Sequence, residues 1–261
     1  MKRFFLFIKV ILLIVILNTY LANGQKLPKV QKASIYAPQG IQINGNSSEW
    51  NDNFQAYNNA VEIFYTLSND DKYIYLTVKA KQRDVVDKII RGGLTFTINS
   101  KASKNDKDDL SVTYPVIEGT DMWEVAGKFG ALSNAFKQHE TVNINQLNEL
   151  FKTKEKLITV TGIDKVPDGP ISIYNTEGIK SSSLFDEKMT YTYELALPID
   201  YLKLPDHSGN TFDYQVRINA APEIKRPAII TSSTPPPPPP VSNGGLAATD
   251  FRGKYTLAKK P

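Results

Sequence analysis

A serine nucleophile needs a histidine within hydrogen-bond reach, and this chain has two, His139 and His207. One lies beside a predicted helix and the other in a Pro-Asp-His-Ser-Gly turn. Neither stands in a nucleophile-elbow or paired-histidine context, so both read as solvated surface groups. The chain has no cysteine, which excludes disulfides, thiolate metal sites and a cysteine nucleophile together. Arg91-Gly92-Gly93 lacks the following lysine of a phosphate-cradling loop and reads as a turn before a strand. The paired carboxylates of a glycosidase meet only in the fold and leave no spacing to recognise, so glycoside hydrolysis is an unsupported alternative. Asn105-Asp-Lys-Asp-Asp109 offers oxygen ligands of the kind calcium takes, roughly six to eight at a time. It lacks the glycine and distal glutamate of a calcium-binding hand, and a solvated loop is expected, with calcium as the alternative. Met122 and Met189, with His139 or His207, contain the ligand types of a haem b site but no spacing that supports one. The expectation is a non-catalytic protein without a required cofactor.

Aromatic residues are the more promising chemistry, with 13 Tyr, 12 Phe and 2 Trp. A saccharide presents C–H faces that stack on flat rings and hydroxyls that pair with Asn, Asp, Gln or Arg. Trp123, in Gly119-Thr-Asp-Met-Trp-Glu124, lies in a polar, glycine-flanked stretch without alternation. It is expected in a loop, exposed, with Asp121 beside it as a polar partner for a ligand. Trp50 follows Ile41-Gln-Ile-Asn-Gly-Asn-Ser-Ser-Glu49 and is expected to plug one end of the fold.

The elements that must position these residues are strands. Phe212-Asp-Tyr-Gln-Val-Arg-Ile-Asn-Ala220 places every second side chain on an apolar face. Val61 to Leu67, Ile74 to Val78, Leu94 to Ile98 and Tyr191 to Leu197 alternate likewise. Ser68-Asn-Asp-Asp-Lys72 between two such runs reads as a hairpin turn. Further strands are expected at 33–37, 40–44, 110–117, 157–163, 171–175 and 252–257, about ten or eleven in all. Many short strands at this spacing predict an all-β fold, a two-sheet antiparallel sandwich of jelly-roll or immunoglobulin type. One or two short helices are inserted, at 84–90 and, after an asparagine cap, at 145–152.

The N-terminus has the order of a secretory signal: Lys2 and Arg3, an apolar run from Phe4 to Leu17 broken by Lys9, then Ala22-Asn23-Gly24. A membrane span wants about 20 apolar residues, so cleavage after residue 24 is expected, with no stable membrane insertion afterwards. The mature chain, 25–261, is then one sandwich domain, secreted, periplasmic or at the outer cell surface. Loss of Lys2, Arg3 and Lys9 leaves 28 basic residues against 27 acidic, which gives no electrostatic reason to expect nucleic acid. Residues 225–249 form a proline-rich loop around six prolines, 235–240, which must be extended at about 3.1 Å per residue.

Four segments in order resemble the family 9 carbohydrate-binding modules and their DOMON-like relatives among exported bacterial proteins. They are Ile41-Gln-Ile-Asn-Gly45 with Glu49-Trp50, Ser68-Asn-Asp-Asp-Lys-Tyr-Ile-Tyr-Leu76, Tyr193-Glu-Leu-Ala-Leu-Pro-Ile199 with a helical turn after it, and Asp250-Phe-Arg-Gly-Lys-Tyr-Thr-Leu257. The resemblance implies structural roles for Gly45, Glu49, Trp50, Asp70, Asp71 and Pro198, and a module that binds glycan or polysaccharide without cleaving it. Members of that family hold sugar chain ends between two tryptophans. Only Trp123 is available for such a clamp here, and Tyr174, followed by Asn175, is the candidate for the second ring. A structural or adhesion sandwich with no small ligand is the alternative.

Overall fold

The computed structural model describes residues 26–51, 53–99, 109–164, 166–202, 204, 210–222 and 247–261. The signal segment, the acidic stretch up to residue 108, His207 and the hexaproline run lie outside the described residues.

Eleven strands are present among the described residues: β1 (Ala56–Asn58), β2 (Ile63–Asn69), β3 (Tyr73–Ala80), β4 (Leu94–Asn99), β5 (Leu110–Val116), β6 (Leu157–Thr161), β7 (Gly169–Ser172), β8 (Lys180–Phe185), β9 (Tyr191–Pro198), β10 (Thr211–Ile218) and β11 (Thr249–Thr256). They form two sheets, ordered β1-β2-β3-β9-β8 and β11-β10-β4-β5-β6-β7, with antiparallel pairing throughout. The protein is therefore a two-sheet antiparallel β-sandwich, as the alternating pattern predicts.

One apolar cluster fills the space between the sheets. Ile63, Tyr65 and Leu67 of β2, and Ile74, Leu76 and Val78 of β3, face Phe96 of β4, Val112 of β5 and Tyr214 and Val216 of β10 within it. Some of the core tyrosines pair their buried hydroxyls. Tyr65 and Tyr214 meet across the sandwich with their hydroxyls 3.1 Å apart, and the Tyr65 ring lies 4.9 Å from that of Phe251. Gly253 of β11 makes room for Tyr214: a Cβ there would fall within the tyrosine ring's contact distance, 2.5 Å from its hydroxyl oxygen.

Three helices, not one or two, are described: α1 (Arg83–Gly92), α2 (Gly119–Lys137) and α3 (Ile144–Lys154). They pack in sequence, α1 on α2 and α2 on α3, and reach β5, β8 and β10. Asn143 caps α3, its side-chain oxygen accepting from the Gln146 N–H at 3.3 Å. The unexpected element is α2, which takes up the stretch read as a loop around Trp123. Met122, Val125, Phe129 and Ser133 recur at spacings of three to four residues and are buried, a helical period that Gly119, Gly127 and Gly130 mask. No helix among the described residues is long and apolar enough to cross a membrane.

Residues 33–37 and 40–44 are not strands. Apart from a single bridge between Tyr36 and Asn69, this region runs as an irregular strap over the outer face of the five-stranded sheet. Strands β1 and β8 carry no clear alternation, and β8, Lys-Ser-Ser-Ser-Leu-Phe, sits at a sheet edge where one flank has no strand to satisfy.

Candidate functional site

The strap is fastened by side chains that alternation alone would send to water. In β3 and β9 the outward positions are Tyr73, Tyr75 and Thr77, opposite Pro198, Ala196 and Glu194. Glu194 is fully buried, and its Oε2 accepts the N–H groups of Asn44 at 3.0 Å and Gly45 at 2.9 Å. Gly45 must be glycine: its φ is +81°, and a Cβ would stand 2.5 Å from the Ser183 carbonyl carbon of β8. Trp50, buried, donates its indole N–H to the Thr77 hydroxyl at 3.1 Å, while Glu49 accepts from the Gln42 N–H. Gly45, Glu49 and Trp50 thus all hold the strap, and Ile41–Gly45 meets Tyr193–Ile199 at Glu194.

Asp70 organises the β2–β3 turn. Its Oδ1 accepts the N–H groups of Lys72 and Tyr73, each at 2.7 Å, and its Oδ2 accepts the Tyr75 hydroxyl. Burial alone would raise its pKa, but these three donors and the Lys72 charge outweigh that and hold it below the ordinary carboxylate value. Burial first, and then the neighbouring Asp71 carboxylate, raise the pKa of Tyr36 in the strap. Pro198 closes β9 opposite Tyr73, after which Ile199–Tyr201 make the anticipated helical turn.

The strap leaves a cleft of about 300 Å³ at its margin with the sheet, lined by Ile41, Gln42, Ile43, Asn44, Tyr73, Tyr75, Lys180 and Ala196. The Tyr73 and Tyr75 rings are 6.0 Å apart and tilted by 39°. Tyr75 is buried with its hydroxyl on Asp70, and burial, then this contact, pushes its pKa above the ordinary phenol value. Tyr73 is half-buried, with the exposed Lys180 ammonium 5.7 Å from its ring centre. The cleft therefore combines two fixed rings, an aliphatic wall, two side-chain amides and a mobile-length cation. That is the composition of a small polar-ligand site, apolar surface with a few convergent polar groups.

The residues expected at the ligand lie elsewhere. Trp123 is half-buried on α2, and Asp121, two residues earlier in the same helix, pairs with Lys154 of α3 at 2.7 Å, as does Glu124 at 2.9 Å. Asp121 lies on a helix and not in the expected loop, and its carboxylate fastens α2 to α3. Tyr174 is 72% exposed, and the Lys156 ammonium donates to its hydroxyl at 2.9 Å. Asn175 donates to the Ser172 and Ile179 carbonyls and accepts the Ile179 N–H, so its amide closes its own turn. Trp123 sits on α2, whereas Tyr174 follows β7. What sequence reasoning missed is Lys180 with the strap residues 41–44. The available signal was Tyr73-Ile-Tyr-Leu76 itself, apolar on both faces, which marks a strand covered on both sides.

Two carboxyls have strongly raised pKa values, and both are inside the protein. Burial lifts Glu155 to about 7 against hydrogen bonds from the Ser183 and Tyr114 hydroxyls. Burial lifts Glu194 to about 7 against the Asn44 and Gly45 N–H groups, with the nearby Glu49 charge adding to the rise. Glu155 is 3% exposed and Glu194 not at all, so neither reaches a substrate. His139 is exposed beyond the end of α2. No group of three or more His, Asp or Glu side chains in metal-binding proximity occurs among the described residues.

Comparison with known protein families, with curated proteins and with solved structures finds no match to this chain.

Proposed function

We propose that this protein is an exported carbohydrate-binding module, similar in design to the family 9 modules, that holds glycan without cleaving it. The observation that carries this reading is the cleft at the strap margin, where Tyr73 and Tyr75 offer ring surface and Gln42, Asn44 and Lys180 offer groups that pair with hydroxyls. A sugar's C–H face stacks on Tyr73 once the long Lys180 side chain swings aside, and the freed ammonium then meets a hydroxyl. A binding role is favoured over hydrolysis because the two carboxyls with pKa values suited to acid catalysis are sealed from solvent. The signal-like order of the N-terminal residues supports a location outside the cytoplasm.

A glycan array probed with the purified protein tests the reading, followed by product analysis on each hit. Binding without new reducing ends is expected. Tyr73→Ala should weaken binding of a neutral glycan about fivefold, the loss of roughly 1 kcal/mol of ring contact. It should leave the melting temperature close to that of the parent, because Tyr73 is only half-buried. Silence across the array from a folded protein would favour a structural or adhesion module, and unchanged affinity in Tyr73→Ala would remove this cleft as the site.

A further inference from the structure

A second cleft, of about 460 Å³, lies between α2 and the strand ends of the five-stranded sheet. Its floor is Phe129, Ser133 and Met189, all buried. Its rim carries Lys81, Arg83, Lys137 and Lys188 against two carboxylates, Glu62 and Asp84. The chain as a whole is close to charge balance, 31 basic residues to 27 acidic, so a two-to-one cationic rim departs from the background. Lys137 and Lys188 have no ion-pair partner among the described residues. Lys81 lies 4.8 Å from the centre of the Phe64 ring, and Arg83 gives one N–H to Asn134, leaving its other donors for a ligand. Phe136, also on the rim, is 39% exposed, one of three large apolar side chains so placed among the described residues.

We propose that this cleft binds an anionic saccharide, with the sugar's C–H face on Phe136 and its carboxylate or sulfate among Lys81, Arg83, Lys137 and Lys188. The inference rests on the carbohydrate-binding reading but concerns a different surface and a different ligand charge. An exposed ring beside cations that outnumber the carboxylates two to one suits a ligand that is both flat and negative. Gln82 and Ser133, which also line the cleft, supply polar atoms for the ring hydroxyls.

The test measures binding of the purified protein to a polyuronate, a sulfated polysaccharide and an uncharged polysaccharide of similar length, at low and high salt. Binding to a charged polymer is expected to weaken as salt shortens the screening length from about 10 Å at 0.1 M to about 3 Å at 1 M. The double variant Lys137→Glu/Lys188→Glu should lose about tenfold or more of that affinity, and its two exposed positions should leave thermal melting unchanged. Phe136→Ala should weaken binding while keeping the salt dependence. Lys152→Glu, on α3 away from the cleft and 74% exposed, should bind as the parent does. The uronate and sulfate arms identify which anion is preferred, and preference for either supports the site. Equal losses from Lys152→Glu and from the double variant would mean bulk charge attraction and overturn it, as would full affinity in the double variant. A parent that binds only uncharged glycans overturns this inference and leaves the Tyr73 cleft standing, whereas a parent that binds no glycan defeats both.

Discussion

Trp50→Ala should lower stability by about 3–5 kcal/mol, the usual consequence of truncating a buried aromatic in a packed site. Trp50 is 7% exposed between the strap and the sheet, and its loss also deprives the Thr77 hydroxyl of the indole donor. In a chain of this length that corresponds to a fall in melting temperature on the order of 10 °C. Scanning calorimetry on Trp50→Ala, Trp50→Phe and Trp123→Ala separates the contributions. The phenylalanine variant keeps most of the packing and should recover most of the loss. Trp123 is half-buried on α2, so its truncation should cost less than that of Trp50. A Trp50→Ala protein that melts with the parent would mean that the strap is not fastened through this ring.

The second large effect is on pH. Glu155 and Glu194 each have a folded pKa of about 7, raised from an ordinary value of 4.5. Between these values the folded state keeps the proton that the unfolded chain has released, so unfolding becomes easier as pH rises. The stabilisation is complete below about 4.5 and is lost as pH climbs through 7, by on the order of 3 kcal/mol for each buried group. Around Glu155 stand Tyr114 from β5, Ser183 from β8 and Tyr191 from β9, and no cation among them offsets the ionised form. Asp70 works in the opposite sense, because its lowered pKa gives stability that is lost in acid, so the maximum should lie on the mildly acidic side of neutral. Denaturant titrations at pH 5.5 and 8 should show the protein more stable at the lower pH. Glu155→Gln, which cannot ionise yet can accept the same two hydroxyls, should remove roughly half of that difference. A stability that is flat or rises over this range, or a slope unchanged in Glu155→Gln, would show that these carboxyls are not kept protonated by burial.

The Trp50 effect and the Glu194 share of the pH effect have one cause, the layer of chain laid over the outer face of the five-stranded sheet, whereas Glu155 is buried apart from it among Tyr114, Ser183 and Tyr191. Without the strap, Glu194, Thr77 and Tyr75 would face water, Glu194 would ionise normally, and the sheet would present a polar face. With it, Glu194 instead supplies the acceptor for two strap N–H groups that have no strand to pair with. Buried backbone donors need such partners, so the irregular path of residues 40–45 and the burial of one glutamate are the same requirement seen from two sides.

Local sequence determined the strands whose two faces differ. The period-2 patterns in Leu94–Asn99 and Thr211–Ile218 predicted their places directly, since a side chain's face follows from its parity once one side is core and the other open to water. The Asn69-Asp70-Asp71-Lys72 turn was equally legible, because an aspartate that accepts the N–H groups two and three residues on acts within the turn itself. Asn143 and the α3 periodicity are local in the same way. Tertiary structure alone decided the rest. The strap reads as two strands because Ile41 and Ile43 alternate with Gln42 and Asn44, yet its hydrogen bonds go to Glu194, about 150 residues away in sequence. Helix α2 reads as a loop because its glycines and polar residues hide a buried face that exists only where α1 and α3 pack against it. Asp121 and Asn175 looked available for a ligand because a polar side chain's partner, Lys154 in one case and a turn's own carbonyls in the other, is fixed by the folded path. Both clefts are made by such paths, one by the strap crossing a sheet and one by α2 lying along strand ends, and so neither has a contiguous signature in the chain.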